Sequence, residues 1–462
     1  MFGFDGKGFF RLVGLKNSVN MLEGPSYLVT RDLPSSCEQE STWIYNTFRL
    51  IELSCSKRRL EDGEEHPLRK SCKVSDTREG EGTRKGSSDI VLVQTEQPED
   101  QDHTGGQSDS SSLIHQLGRD ISINCLLNCS RSDYGSIASL NNSFRSLIRS
   151  GELYRERRKM GIIEHWVYFS CSLLEWDAFD PISRRWMHLP RMPSNDCFMC
   201  SDKESLAVGT ELLVFGKEIT SHVIYRYSIL TNTWYSGMNM NTPRCLFGSA
   251  SLGEIAILAG GCDPRGNILK VAELYNSEKG TWETLPSMKK ARKMCSGVFM
   301  DGKFYIVGGI GEGNSKSLTC GEVYDLKTRT WTEIPNMFPG RNGGAGAIEA
   351  PAATEAPPLL AVVNNVLYAA DYAQKELRKY DKEMNSWVTI GRLPEQATST
   401  NGWGLAFRAC GDQLIVLGGP RALGGGVIEL NSWAPSEGPP QWDLLARKQS
   451  GSFVYNCAVM GC

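Results

Sequence analysis

The sequence predicts a mainly β fold, a six-bladed β-propeller over residues 162–462, preceded by a small α-helical unit over 113–161 and a disordered N-terminal arm. Three observations point there. Trp186, Trp234, Trp282, Trp331, Trp387 and Trp442 recur at steps of 48, 48, 49, 56 and 55 residues, so six of the 11 tryptophans share one register. An aromatic stands seven residues before each of the first five: Phe179, Tyr227, Tyr275, Tyr324 and Tyr380. Upstream lies an apolar run ending in paired small residues, Gly260-Gly261, Gly308-Gly309 and Gly418-Gly419, with Ala369-Ala370 in the fifth unit and Gly216 alone in the second. A four-stranded repeat of roughly 40 to 50 residues is a propeller blade, because one such sheet buries both faces only by stacking on its neighbours.

Taken in order along the chain, residues 1–53 form an arm whose aromatics, among them Tyr27, Trp43 and Phe48, are too few for a core of their own. Residues 54–112 are dominated by Glu, Asp, Lys, Arg, Ser and Gly, which bury too little apolar surface to offset the entropy of ordering, so a disordered linker is expected. Over 113–161 the apolar period becomes helical: Ile137, Leu140, Phe144, Leu147 and Ile148 recur at spacings of three and four, with Asp133 and Asn142 as expected N-caps. That unit is too short for a stable isolated core and is expected to offer its apolar stripe to a partner. The first β unit has room for three strands before Trp186, whereas Ser452 to Val459 is an apolar strand without a blade, so the last strand is expected to complete the first blade.

Composition narrows the function classes. The 50 basic and 53 acidic residues leave a formal charge of −3, which gives no electrostatic reason to expect nucleic acid or an anionic membrane as a partner. No apolar run reaches the roughly 18 residues that span a bilayer. The 15 cysteines lack a compact disulfide spacing and read as free thiols of a reducing compartment. Ser56 to Arg59 with Arg69-Lys70 resembles a two-part import signal, so nucleus and cytosol both stand as expected locations.

The run from Phe304 to Trp331, "FYIVGG" followed by "EVYDLKTRTW", resembles the kelch repeat, and the likeness extends over about 166–462. The segment Leu117 to Ile148 resembles an F-box, although Phe144 stands where that family prefers tryptophan and Gly118 replaces its common proline. In this order the two resemble the plant F-box/kelch-repeat proteins. The resemblance implies a non-catalytic substrate receptor of a cullin-type ubiquitin ligase. Its helices would bind a SKP-like adaptor through Leu117, Ile121, Leu126, Ile137, Leu140, Phe144 and Leu147, and its propeller would hold a protein substrate for ubiquitination. A kelch scaffold that gathers partners without degradation is the alternative.

Catalytic and cofactor chemistry finds no purchase. "GGIGEGN", Gly308 to Asn314, nears a dinucleotide fingerprint but leads into a turn instead of a helix. Cys197 with Cys200 and Cys125 with Cys129 lack the second pair a zinc site needs. No cofactor and no metal are therefore expected. The repeat aromatics are assigned to packing between blades; Trp403 and Trp433, outside the register, are freer to be surface contacts, although residues of this kind are more often core than site.

Specificity is expected on the face carrying the interblade loops, where Arg244, Arg292 and Arg341 recur at steps of 48 and 49. Together with Arg265, Lys289, Lys290, Lys293, Arg421, Arg447 and Lys448 they suggest a basic face for an acidic or phosphorylated substrate.

Overall fold

The computed structural model describes residues 2–4, 10–12, 113–114 and 117–462, except 173, 196, 201–203, 220, 314–316, 339–354, 398, 400, 420–425, 451–453 and 455. The expected arm and linker fall outside these residues, apart from a short antiparallel pair, β1 (Phe2–Phe4) and β2 (Phe10–Leu12).

Four helices come next: α1 (Arg119–Leu127), α2 (Tyr134–Leu140), α3 (Asn142–Arg149) and α4 (Glu152–Lys159). Asn141, not Asn142, caps α3, its side chain accepting from Phe144 N at 2.8 Å. Asp133 occupies the N-cap position of α2 but makes no side-chain cap bond, and Ser130 caps the preceding turn by accepting from Ser132 N. Gly151, at φ 72°, takes the left-handed step that turns the chain from α3 into α4.

The propeller begins with β3 (His165–Ser170), β4 (Trp176–Asp180) and β5 (Arg185–His188). Blade 2 holds β6 (Phe198–Met199), β7 (Ser205–Val208), β8 (Glu211–Glu218), β9 (Ser221–Ser228) and β10 (Thr233–Ser236), with both β6 and β7 paired to β8. Blade 3 is β11 (Gly248–Leu252), β12 (Ile255–Ala259), β13 (Ala272–Asn276) and β14 (Thr281–Leu285). Blade 4 is β15 (Ser296–Met300), β16 (Lys303–Val307), β17 (Gly321–Asp325) and β18 (Thr330–Ile334). Blade 5 is β19 (Leu360–Val363), β20 (Val366–Asp371), β21 (Glu376–Asp381) and β22 (Ser386–Arg392). Blade 6 is β23 (Ala406–Cys410), β24 (Gln413–Gly418), β25 (Gly426–Trp433) and β26 (Asp443–Ser450). The final strand, β27 (Asn456–Gly461), pairs antiparallel with β3 and stands innermost in the first blade, giving the order β27-β3-β4-β5.

The repeat residues form the seams. Each register tryptophan stacks on its aromatic partner within the blade, with centroids 4.7 Å apart for Phe179–Trp186 and 5.0 Å for Tyr324–Trp331. The indole N–H then reaches the preceding blade: Trp234 donates to Pro190 O, Trp282 to Met238 O, Trp331 to Pro286 O, Trp387 to Met337 O and Trp442 to Arg392 O. One side chain thus packs its own sheet and ties it to the last, which is why the register persists while other positions drift. The glycine pair serves a second contact. Gly260 and Gly261 lie at φ 71° and 97°, and a Cβ there would stand 2.3 Å from Arg292 O and 2.4 Å from Cys245 O.

Trp403 and Trp433 are buried, so both belong to the core and not to the surface. Trp433 stacks on Trp442 at 6.1 Å and takes the place of the aromatic the sixth unit lacks. The connection between β25 and β26 is longer than its counterparts, which places Trp433 nine residues before Trp442 instead of seven.

Candidate adaptor and substrate interfaces

The helical unit does not keep its apolar stripe open. Leu126, Phe144 and Leu147 are buried in a single core with Ile148, Leu153 and Tyr154 that runs on into Trp166, Tyr168 and Trp234 of the propeller. The expectation of a stripe too small to hide itself fails for these three residues, because the propeller supplies the missing half of the core. Ile137 and Leu117 are half-buried. Ile121 and Leu140 remain open, 55% and 71% exposed.

A polar network fixes the helices on the blades. Glu164, just ahead of β3, accepts from Arg131 N at 3.1 Å, from Ser130 Oγ at 3.2 Å and from Arg157 at 2.6 Å. Arg157 also donates to Leu127 O at 3.2 Å and Cys129 O at 2.7 Å, the carbonyls at the end of α1. The Arg131 guanidinium lies 4.4 Å over the Trp166 ring and donates to Cys462 Sγ at 3.0 Å and to the Tyr168 hydroxyl. Burial pushes the Tyr168 hydroxyl up to about 12 against the pull of Arg131, so it stays protonated at any physiological pH. Burial disfavours the Arg131 charge, yet the group as a whole lies above its usual value, so it stays cationic. Together, helices and ring form one rigid body in which the two ends of the propeller meet the docking unit.

The placement also assigns the two faces of the ring. Arg158 pairs with Glu254 in the turn between β11 and β12, and Gly151 lies against Leu230 in the turn between β9 and β10. The helices therefore sit on the side of these inner and outer hairpins. The interblade loops occupy the opposite side, as antiparallel four-stranded blades require.

On that opposite side two of the basic candidates, Arg244 and Arg292, are spent inside the fold. The Arg244 side chain is fully buried, paired with Glu273, and donates to Thr242 O at 2.8 Å and Leu258 O at 3.0 Å. Arg292 repeats the arrangement with Glu322 at 2.8 Å, Gly308 O at 3.0 Å and Cys320 O at 3.1 Å. These arginines lash each interblade loop to the blade it enters and cannot meet a substrate. Arg341 and Arg421 lie outside the described residues. Lys290 pairs with Glu333, Lys448 with Asp177 and Arg447 with Glu429, and Lys293 is buried, so among the described residues the expected basic face shrinks to Arg265 and Lys289, which are exposed. The sequence signal that betrays this is a glutamate 29 or 30 residues after each arginine, which sequence reasoning passed over.

Among the described residues no three His, Cys, Asp or Glu side chains stand together as a metal set, and no helix is long and apolar enough to cross a membrane.

A kelch-type ring joined rigidly to a short helical unit with open apolar residues is the architecture of a substrate-adaptor protein. The kelch motif profile matches residues 243–289 and 291–338, the third and fourth blades. The F-box/kelch-repeat protein At1g74510 of Arabidopsis thaliana is 63% identical over 96% of this chain and 100% of its own length. F-box/kelch-repeat protein SKIP11 of the same plant is 67% identical over 78% of each chain, and F-box/kelch-repeat protein At1g26930 is 64% identical over 81% of this chain and 89% of its own. The chain belongs to the F-box/kelch-repeat family.

Proposed function

We propose that this chain is the substrate-recognition subunit of a SKP–cullin–F-box ubiquitin ligase, its helices binding a SKP-like adaptor and its propeller holding a protein substrate for ubiquitination. The observation that carries the reading is the exposure of Ile121 and Leu140 on helices whose other large apolar residues are committed to the core. The chain makes and breaks no bond in this role; it joins two partners. With the helices on one side of the ring, the interblade loops face away from the adaptor and are free to take a substrate.

The test is a binding titration of the full chain against a purified SKP-like adaptor. Ile121→Asp with Leu140→Asp should weaken binding at least about 30-fold, since apolar interface anchors contribute on the order of 2 kcal/mol or more. Both positions are solvated, so the melting temperature should stay within about 2 °C. Unchanged affinity in this folded variant would leave the non-degradative scaffold as the better reading.

A further inference from the structure

The blades enclose an axial cavity of about 280 Å³ walled by the innermost strands. That is room for several waters or one small organic ion, since a water occupies roughly 30 Å³ of liquid. Its chemistry is lopsided. Among the described residues no Asp or Glu lines it, and the one charged residue there is Arg408 on β23. Arg408 is held from two sides: Nε donates to Cys457 O and Nη1 to Phe407 O, each at 3.1 Å. Both acceptors are neutral carbonyls, and among the described residues no carboxylate pairs with this guanidinium. Elsewhere in the same blade Arg447 has Glu429 and Lys448 has Asp177.

The hydroxyls agree with the charge. Ser205, only 6% exposed, lines the cavity, and its Oγ is buried without a hydrogen-bond partner among the described residues. Ser249 and Ser251 on β11 line it as well, and Ser296 Oγ donates to Pro358 O at 2.5 Å. On the interblade-loop side, Leu246, Met294, Ala356 and Trp403, from the segments leading into blades 3, 4, 5 and 6, belong to one apolar cluster. A cavity walled in part by apolar residues such as Leu206, Val298 and Leu360 screens charge less well than open solvent does, which strengthens any ion held beside Arg408.

We propose that the axial cavity is a binding site for a small oxyanion of the phosphate class, with Arg408 as the charge partner and Ser205, Ser249 and Ser251 as hydroxyl donors. A guanidinium fixed by two carbonyls keeps its remaining N–H groups oriented for such an ion, and serine hydroxyls turn to donate. An occupied site would brace inner strands that otherwise present open backbone edges to the axis. The inference is independent of the ubiquitin-ligase reading.

The experiment titrates inorganic phosphate against the purified full chain at constant ionic strength, reading the unfolding midpoint. A parallel arm with glucose 6-phosphate separates a free ion from a phosphorylated metabolite. Wild type should show a saturable rise of about 3 °C with at least one of the two, by mass action on the folded state. Arg408→Gln should cut that rise at least threefold. Ser251→Asp, which puts a carboxylate into the same cavity and leaves the two carbonyl bonds of Arg408 in place, should abolish it while unfolding stays cooperative. Should Arg408→Gln fail to fold, Ser251→Asp decides alone. No saturable rise in wild type with either anion, or a rise undiminished in Ser251→Asp, overturns the proposal and leaves a water-filled channel.

Discussion

Arg292→Ala is expected to unfold the ring sooner without touching any surface a partner could use. The side chain is completely buried and donates to the Glu322 carboxylate and to the carbonyls of Gly308 and Cys320. Its removal leaves two carbonyls without that donor and a buried carboxylate that keeps only the backbone amides of Lys289, at 2.7 Å, and Lys290, at 3.0 Å. Deleting one partner of a buried pair costs about 3 to 5 kcal/mol, because the survivor keeps its desolvation penalty and loses its counter-charge. At roughly 2 to 4 °C per kcal/mol for a domain of a few hundred residues, the midpoint should fall by about 6 to 20 °C. Differential scanning calorimetry of the full chain reads this directly. The double change Arg292→Met with Glu322→Leu should recover more than half the loss, since no charge is then left in the seam. A single variant melting within about 2 °C of wild type would refute the account of this pair as the lashing of blade 4.

Other expectations follow from the same structure. Phe144→Ala, at 9% exposure in the core shared by helices and ring, should lower stability by about 3 to 5 kcal/mol in urea titration, in contrast to the nearly neutral Leu140→Ala. Removing residues 456–462 should expose the whole edge of β3 and take Cys462 from Arg131, giving a chain that limited proteolysis cuts throughout the ring; cleavage confined to blade 1 would argue for independent blades. His165 is held below its ordinary 6.5 by burial and by Arg131. The unfolded chain then takes up a proton that the folded one refuses, so this residue's share of stability is intact above about 6.5 and declines as the pH falls below it. His165→Gln should accordingly show a shallower loss of urea midpoint between pH 7 and 5.5 than wild type, and an equal loss would remove His165 from the acid limb.

The ring was readable because its seams demand a particular chemistry at a fixed place: an indole large enough to cover an aromatic and able to donate to the neighbouring blade. Where a longer turn relaxed that spacing, as with Trp433 at the end of β25, the register lost sight of a residue doing the same job. The arginines illustrate the opposite failure. Their periodicity was plain, but periodicity belongs to the scaffold, and only the paired glutamates one strand away reveal that Arg244 and Arg292 point inward. For the helices, the apolar period located the elements, yet a stripe does not say what covers it. Leu140 ends α2 and Phe144 lies on α3, and the extended Asn141 between them breaks the expected stripe, leaving the first exposed and the second buried.

The last strand has a consequence for synthesis. β27 is translated after every other described element, and until it leaves the ribosome β3 has no inner neighbour and Arg131 has no Cys462 to meet. Nascent or prematurely terminated chains therefore carry their docking helices on an unlocked seat. The emergence of β27 is thus the step that closes the first blade and seats the helices against it.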